Sequence, residues 1–291
     1  MNATSLIAGV TYRAISPAGS IANALSAEDI LTQPQPPFDR RVAYGRDPNQ
    51  FMEVRLPRSA GPRATGPHPI LLNIHGGFWR AKYDLAHAGH LCEALRGRDI
   101  ATFNVEYRRV GNKGGGWPGT FEDIRSAYRF VRKYRKELGL SERIVVMGHS
   151  AGGQLALCLA AHERSLENVI SLAGVVDVRR ASELHLSTDA VAEFLGGKPD
   201  AVREHYREAD PMQLSIPQAR QWLLHGKKDD VVPPEFSRDY AARKTNAKTA
   251  PGGKKERVEL VEIAEAGHFD VIDPRAEAFQ RVVEAVSAAL A

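Results

Sequence analysis

Cysteine is scarce in this chain, with 2 among 291 residues. Cys92 and Cys158 sit in apolar surroundings, Leu91-Cys92-Glu93-Ala94-Leu95 and Ala156-Leu157-Cys158-Leu159-Ala160. They read as buried thiols in a reducing compartment, and a small fold stapled by disulfides is excluded. No stretch approaches the roughly 18 consecutive apolar residues that a membrane span needs. The opening MNATSLIAGVTYR lacks a basic start and carries only a short apolar run, so no secretory signal is expected and the expected location is cytoplasmic. Charge of one sign is also in short supply. Lys+Arg 39 against Asp+Glu 35 leaves +4, a surplus too mild to suggest a nucleic-acid partner. What remains is 43% hydrophobic and 25% charged residues, the composition of a globular chain with a sizeable core; a disordered or collagen-like chain is excluded.

Short apolar runs recur, at Ile70–Ile74, Ile100–Val105, Ile144–Met147, Val169–Val176, Trp222–Leu224 and Val258–Ile263. Helical patterns lie between or after them, at Leu85–Arg96, Thr120–Leu138, Ala151–His162 and Arg275–Leu290. Continuous apolar strands alternating with amphipathic helices predict a parallel sheet covered on both faces. Arg41–Tyr44 and Phe51–Leu56 flank a turn and predict an antiparallel hairpin at its edge. The expected fold class is α/β, with a mixed, mostly parallel sheet of about eight strands. Residues 1–39 are expected to form an N-terminal arm or partial lid. Residues 178–216, with short helices predicted at Ala190–Leu195 and Asp200–Arg207, would form a small cap over the carboxyl edge of the sheet, where open α/β sheets bind ligands. Lys248–Arg257 reads as an exposed loop.

Arg143-Ile144-Val145-Val146-Met147 runs into Gly148-His149-Ser150-Ala151-Gly152-Gly153, and a helical pattern follows at once. This is G-x-S-x-G in strand–turn–helix context, which makes Ser150 a candidate nucleophile. A serine on a sharp turn exposes its hydroxyl and tolerates only small neighbours, hence Gly148 and Gly152. His149 beside it would point away from the hydroxyl and reads as a packed histidine. Pro69–Ile74 ends in His75-Gly76-Gly77-Phe78-Trp79. Acyl transfer needs amides aimed at a developing oxyanion, and the candidates are the N–H groups of Gly77, Phe78 and Ala151. Phe78 and Trp79 are candidates to wall a substrate pocket, with plain packing the alternative. His75 reads as a tie for the loop.

A serine hydroxyl needs a base, and the base needs an orienting carboxylate. Arg220–Leu224 leads to His225-Gly226-Lys227-Lys228-Asp229-Asp230-Val231-Val232-Pro233, and Val258–Ala264 leads to Glu265-Ala266-Gly267-His268-Phe269-Asp270. The chain order Ser150, Asp229, His268 is one known for such triads. Asp230 and Asp177 are lesser candidates for the carboxylate. His87 and His90 lie three apart on a predicted helix without further ligand types, so no metal site is expected. Arg132-Lys133-Tyr134-Arg135-Lys136 reads as the solvated flank of a helix.

These four segments together resemble the α/β-hydrolase superfamily from about residue 40 onward. Within it the chain is similar to the small-cap esterase/lipase group that includes kynurenine formamidase (arylformamidase). Phe78 stands where the hormone-sensitive-lipase-like branch carries a third glycine, which turns the resemblance toward formamidase-like or feruloyl-esterase-like relatives. The resemblance implies an α/β-hydrolase catalytic domain over residues 40–291, catalytic Ser150, Asp229 and His268, and no cofactor. The activity expected is cleavage of small carboxylic esters through an acyl-enzyme. The alternative is an arylformamidase acting on N-formyl aromatic amides such as N-formylkynurenine. A non-catalytic binding protein is the third reading, disfavoured because all three triad positions are chemically competent. The expected partner is a small-molecule ester or formamide, with a homodimer left open and neither nucleic acid nor membrane expected.

Overall fold

The computed structural model describes residues 27–58, 67–247 and 254–291. Eight strands form one sheet: β1 (Arg40–Ala43), β2 (Phe51–Arg55), β3 (Ile70–Ile74), β4 (Ala101–Val105), β5 (Ile144–His149), β6 (Asn168–Leu172), β7 (Arg220–Gly226) and β8 (Arg257–Ile263). Their order is β1-β2-β4-β3-β5-β6-β7-β8. The β1–β2 and β2–β4 pairings are antiparallel, and every later pairing is parallel. This is the α/β-hydrolase fold anticipated from the sequence, with the hairpin at the sheet edge.

The central strands are apolar on both sides because helices cover both faces. Leu71, Val145, Met147, Ile170, Leu172, Trp222 and Leu224 pack into one core, while Ile70, Leu72, Ile74, Val146, Val169 and Leu223 pack into the other. That alternation is the period of two expected of a strand. The first core is closed by α1 (Gly89–Arg96) and by α8 (Phe279–Leu290), which turns Phe279, Val282, Val283, Val286 and Leu290 inward at helical spacing. The second is closed by α2 (Gly119–Tyr134), α3 (Ala151–His162) and α7 (Glu235–Asn246). Three short helices, α4 (Val178–Glu183), α5 (Ala190–Leu195) and α6 (Arg203–Ala209), lie between β6 and β7.

Some boundaries differ from expectation. The apolar run read as a strand to Val176 stops pairing at Leu172, because Ala173 takes a left-handed conformation (φ 47°) and turns the chain away from the sheet. The helix predicted over Leu85–Arg96 is a 3-10 turn, Leu85–Ala88, followed by α1. Of the expected N-terminal arm, residues 1–26 lie outside the described residues, as do 248–253 of the expected loop. The described part begins with a 3-10 turn, Ala27–Leu31. The segment that follows is tied to the sheet by Arg55, whose Nη2 and Nε donate to the carbonyls of Pro36 and Pro37.

The register sets up the chemistry. Ile74 is level with Gly148 across β3–β5, and Gly226 with Ile263 across β7–β8. The loops after β3, β5, β7 and β8 therefore leave from one carboxyl edge of the sheet. Those loops carry the four motifs.

Candidate active site

Ser150 sits between the end of β5 and the start of α3 at φ 56° and ψ −119°, a conformation that non-glycine residues rarely adopt. Such strain costs on the order of 1–3 kcal/mol and persists only where its surroundings impose it. Here they do. The Ser150 N–H donates to Leu172 O at 2.8 Å, and the Ser150 carbonyl accepts from Gly153 at 3.0 Å and Val175 at 3.2 Å. The flanking glycines are sterically required. A Cβ on Gly148 would lie 2.0 Å from Gly152 O, and one on Gly152 would lie 2.1 Å from Ile74 O.

The loop after β3 is equally unusual. Gly77, Phe78 and Trp79 have φ of 110°, 49° and 56°, three left-handed residues in succession. His75 anchors it: Nδ1 donates to Gly76 O at 2.7 Å, Nε2 faces Glu106 Oε1 at 3.1 Å, and the ring stacks on Tyr107 at 4.5 Å. Tyr107 in turn donates its hydroxyl to His75 O at 2.8 Å. Among the described residues, the amides of Gly77, Phe78 and Ala151 donate no hydrogen bond to protein. Three unused N–H groups thus lie at the buried serine turn, Gly77 and Phe78 on the cavity that Ser150 lines and Ala151 next to it in the chain.

His268 Nδ1 donates to Asp229 Oδ2 at 2.7 Å, which leaves Nε2 as the acceptor nitrogen. Asp229 is held on both oxygens. Oδ1 accepts from the amides of Val231 at 2.9 Å and Val232 at 2.8 Å, and Oδ2 also accepts from His225 Nε2 at 3.1 Å. Burial on its own would raise the Asp229 pKa. The hydrogen bonds from His225 and His268, the electrostatic pull of His268 and the Val232 amide overrule it and hold the carboxyl well below the usual range. His225 also faces Val232 O at 3.0 Å, so its proton sits on Nε2, and Nδ1 accepts from the Ser237 hydroxyl at 2.7 Å. No local signal in the sequence distinguishes a histidine that props an aspartate.

His149 packs beneath the turn, as its position beside the serine suggested. Its Nε2 donates to the His268 carbonyl at 2.9 Å, and its rings meet those of His268 at 4.6 Å. Burial first, and the neighbouring His268 second, hold its pKa well below the ordinary histidine value, so it is neutral. The lesser carboxylates lie elsewhere. Asp230 is exposed, and Asp177 caps α4 by accepting the Arg180 amide at 2.9 Å.

Ser150 and His268 line one cavity of about 280 Å³ with Gly77 and Phe78. The Ser150 hydroxyl makes no hydrogen bond to another described residue. Trp79, expected with Phe78 as a pocket wall, is not part of this lining. It is fully buried, stacks on Phe194 at 4.4 Å and donates Nε1 to Gln154 Oε1 at 3.1 Å. The left-handed turn at Phe78 and Trp79 sends the two adjacent rings to different places, one to the cavity and one to the core. The lining also takes in Tyr83 and His87 from the segment after the β3 loop, Ser187 from between β6 and β7, and Phe269 next to His268. His87 and His90 belong to no group of three metal-ligating side chains among the described residues.

The BD-FAE family model matches residues 54–243, well over half of the chain. The chain belongs to the BD-FAE family. This BD-FAE chain is 26% identical over 254 residues to esterase LipC of Mycobacterium tuberculosis, which covers 80% of the chain and 60% of the relative. The chain thus spans about 60% of the length of that relative. It is 28% identical over 192 residues to a kynurenine formamidase of Meyerozyma guilliermondii, covering 61% of the chain and 66% of that enzyme. Among solved structures, a truncated form of a carbohydrate esterase from gut microbiota superposes with TM-score 0.72 at 18% identity, over 88% of this chain and 99% of the other. At that identity the likeness is one of fold. All four motif segments except Gly267–Asp270 fall inside the BD-FAE match.

Proposed function

We propose that the protein is a serine hydrolase that cleaves small carboxylic esters. The observation that carries this reading is the Asp229–His268 pair at 2.7 Å, set with Ser150 on one cavity beside three unused amides. Ser150 Oγ attacks the ester carbonyl carbon as His268 Nε2 takes its proton. Asp229 holds the imidazole in the required tautomer and stabilises the cation that forms. The amides of Gly77, Phe78 and Ala151 receive the oxyanion, each worth about 3 kcal/mol in the transition state. The intermediate collapses as His268 returns the proton to the leaving alcohol, and water then repeats the sequence on the acyl-enzyme. No step calls on a cofactor. Residues 178–216 act as a small cap, since Ser187 joins the cavity lining from that segment. The described start of the N-terminal arm reaches the same cavity through Leu31.

Hydrolysis of an N-formyl aromatic amide, with the same residues in the same roles, is the second reading, favoured by the similarity to a kynurenine formamidase. A cytoplasmic location fits two buried thiols that form no disulfide; no helix among the described residues is long and apolar enough to cross a membrane. The test is turnover of p-nitrophenyl acetate and butyrate and of N-formylkynurenine by the native protein and by Ser150→Ala. Ester turnover that vanishes in the variant is the expected result. Undiminished turnover in Ser150→Ala overturns the mechanism, and turnover of the formyl amide alone moves the assignment to the second reading.

A further inference from the structure

His87 has no part in the chemistry above, yet it opens onto the same cavity as Ser150 and His268. It comes from the 3-10 turn Leu85–Ala88, capped by Asp84, whose carboxylate accepts the Ala86 amide at 2.9 Å. Its ring meets the loop-anchoring His75 edge-on, with centroids 5.8 Å apart. It is 8% exposed. Burial first, then the neighbouring His75, pull its pKa down to about 3, so the ring is neutral throughout the working range of a serine hydrolase. Among the described residues its polar contact is the backbone of Asp84, and the ring lines the cavity. A second neutral polar group faces the cavity from the cap. Ser187 Oγ accepts from Arg80 Nη1 at 3.1 Å, which leaves the hydroxyl proton free to donate inward.

A buried imidazole without a full complement of partners is unfavourable unless the ligand completes it. Leu31, Phe78, Val231 and Phe269 supply the apolar part of the lining, and Glu28 and Tyr83 add polar side chains to it, so a change at His87 itself is what tells its contact from theirs. Resting on the ester-hydrolase reading, we infer that His87 is a specificity-determining residue that hydrogen-bonds a second, uncharged polar group of the substrate. The substrate class is then a neutral ester bearing a hydroxyl, carbonyl or amide group a few atoms from the scissile bond, in preference to a plain alkyl ester of equal size. A neutral imidazole serves because it can donate or accept without placing a second cation beside His268.

The experiment compares matched pairs in two arms. The acyl arm sets p-nitrophenyl 3-hydroxybutyrate against p-nitrophenyl 3-methylbutyrate; the alcohol arm sets 2-hydroxyethyl butyrate against propyl butyrate. The native protein should favour the hydroxylated member in one arm by about tenfold in kcat/KM, the worth of one neutral hydrogen bond. His87→Phe should collapse that ratio to near one, chiefly through KM, and His87→Asn should restore part of it. Circular dichroism and phosphonate labelling of Ser150 verify that each variant is folded and has an intact site; if His87→Phe fails either, the His87→Asn and His87→Leu ratios decide. Equal rates within both arms for the native protein, or a ratio that survives in a folded His87→Phe or His87→Leu, overturn the inference while leaving ester hydrolysis standing. A native protein that turns over none of the four esters overturns the ester-hydrolase reading itself.

Discussion

Asp229→Asn is the most informative single substitution because the structure dictates where its amide must point. Asp229 Oδ1 accepts two backbone amides, Val231 at 2.9 Å and Val232 at 2.8 Å, and backbone cannot retreat from a donor placed there. The asparagine oxygen therefore takes that side. Its NH2 falls on the Oδ2 side, 2.7 Å from His268 Nδ1 and 3.1 Å from His225 Nε2. His225 keeps its proton on Nε2 for the Val232 carbonyl at 3.0 Å, so donor faces donor there, at about 1–3 kcal/mol. His268 relieves its own clash by moving its proton from Nδ1 to Nε2. That tautomer cannot accept the serine proton, and the loss expected is on the order of 10⁴-fold in kcat, about 5 kcal/mol. The assay is steady-state hydrolysis of p-nitrophenyl butyrate alongside the rate of phosphonate labelling of Ser150, and both should fall together. Asp230→Asn and Asp177→Asn should change either rate by less than about threefold. Activity of Asp229→Asn within tenfold of native, or an equal loss in either control, would refute the assignment of the orienting carboxylate.

Two further outcomes follow from the same geometry. Asp210 is buried, and burial, reinforced by the charge of Asp177 against the bond from Gln213, pushes its carboxyl up to about 6 from 3.8. The folded state therefore resists its ionisation, a penalty absent below about pH 4 that grows to about 3 kcal/mol above pH 6. Asp210→Asn should raise stability to urea at pH 8 by up to that amount and do nothing at pH 3.5; a gap independent of pH would show that Asp210 is not the source. Gly152→Ala places a Cβ 2.1 Å from Ile74 O, between α3 and the end of β3. It should destabilise the protein by about 3 kcal/mol or more, read as a lowered Tm, and a variant with native Tm would contradict the close approach.

Much of this was legible in the sequence, for identifiable reasons. β3, β5 and β7 carry short apolar runs and β8 an apolar–charged alternation, and each stops at a glycine-bearing loop, so strand ends and motif positions coincide. Ser150, Asp229 and His268 each follow such an end, and parallel pairing alone brings those ends to one edge. α4 and α7 carry weak signals: the first is six residues long, and the second is polar along most of its length, with only Phe236 and Tyr240 as large apolar residues on its buried face. The fate of Trp79 was hidden because it depends on two left-handed residues in succession, which no side-chain pattern announces. His225 and His87 were illegible as participants for a related reason. What each touches is set by tertiary contact with Asp229 and with the cavity, not by its neighbours in the chain.

The central claim is that Ser150 is a nucleophile activated by His268. The direct test is to treat the protein with a fluorophosphonate and locate the adduct by mass spectrometry of its peptides. A single stoichiometric adduct on Ser150, absent from Ser150→Ala and slowed by orders of magnitude in His268→Ala, is the predicted result. An unlabelled Ser150, or an adduct that forms equally fast without His268, would contradict it.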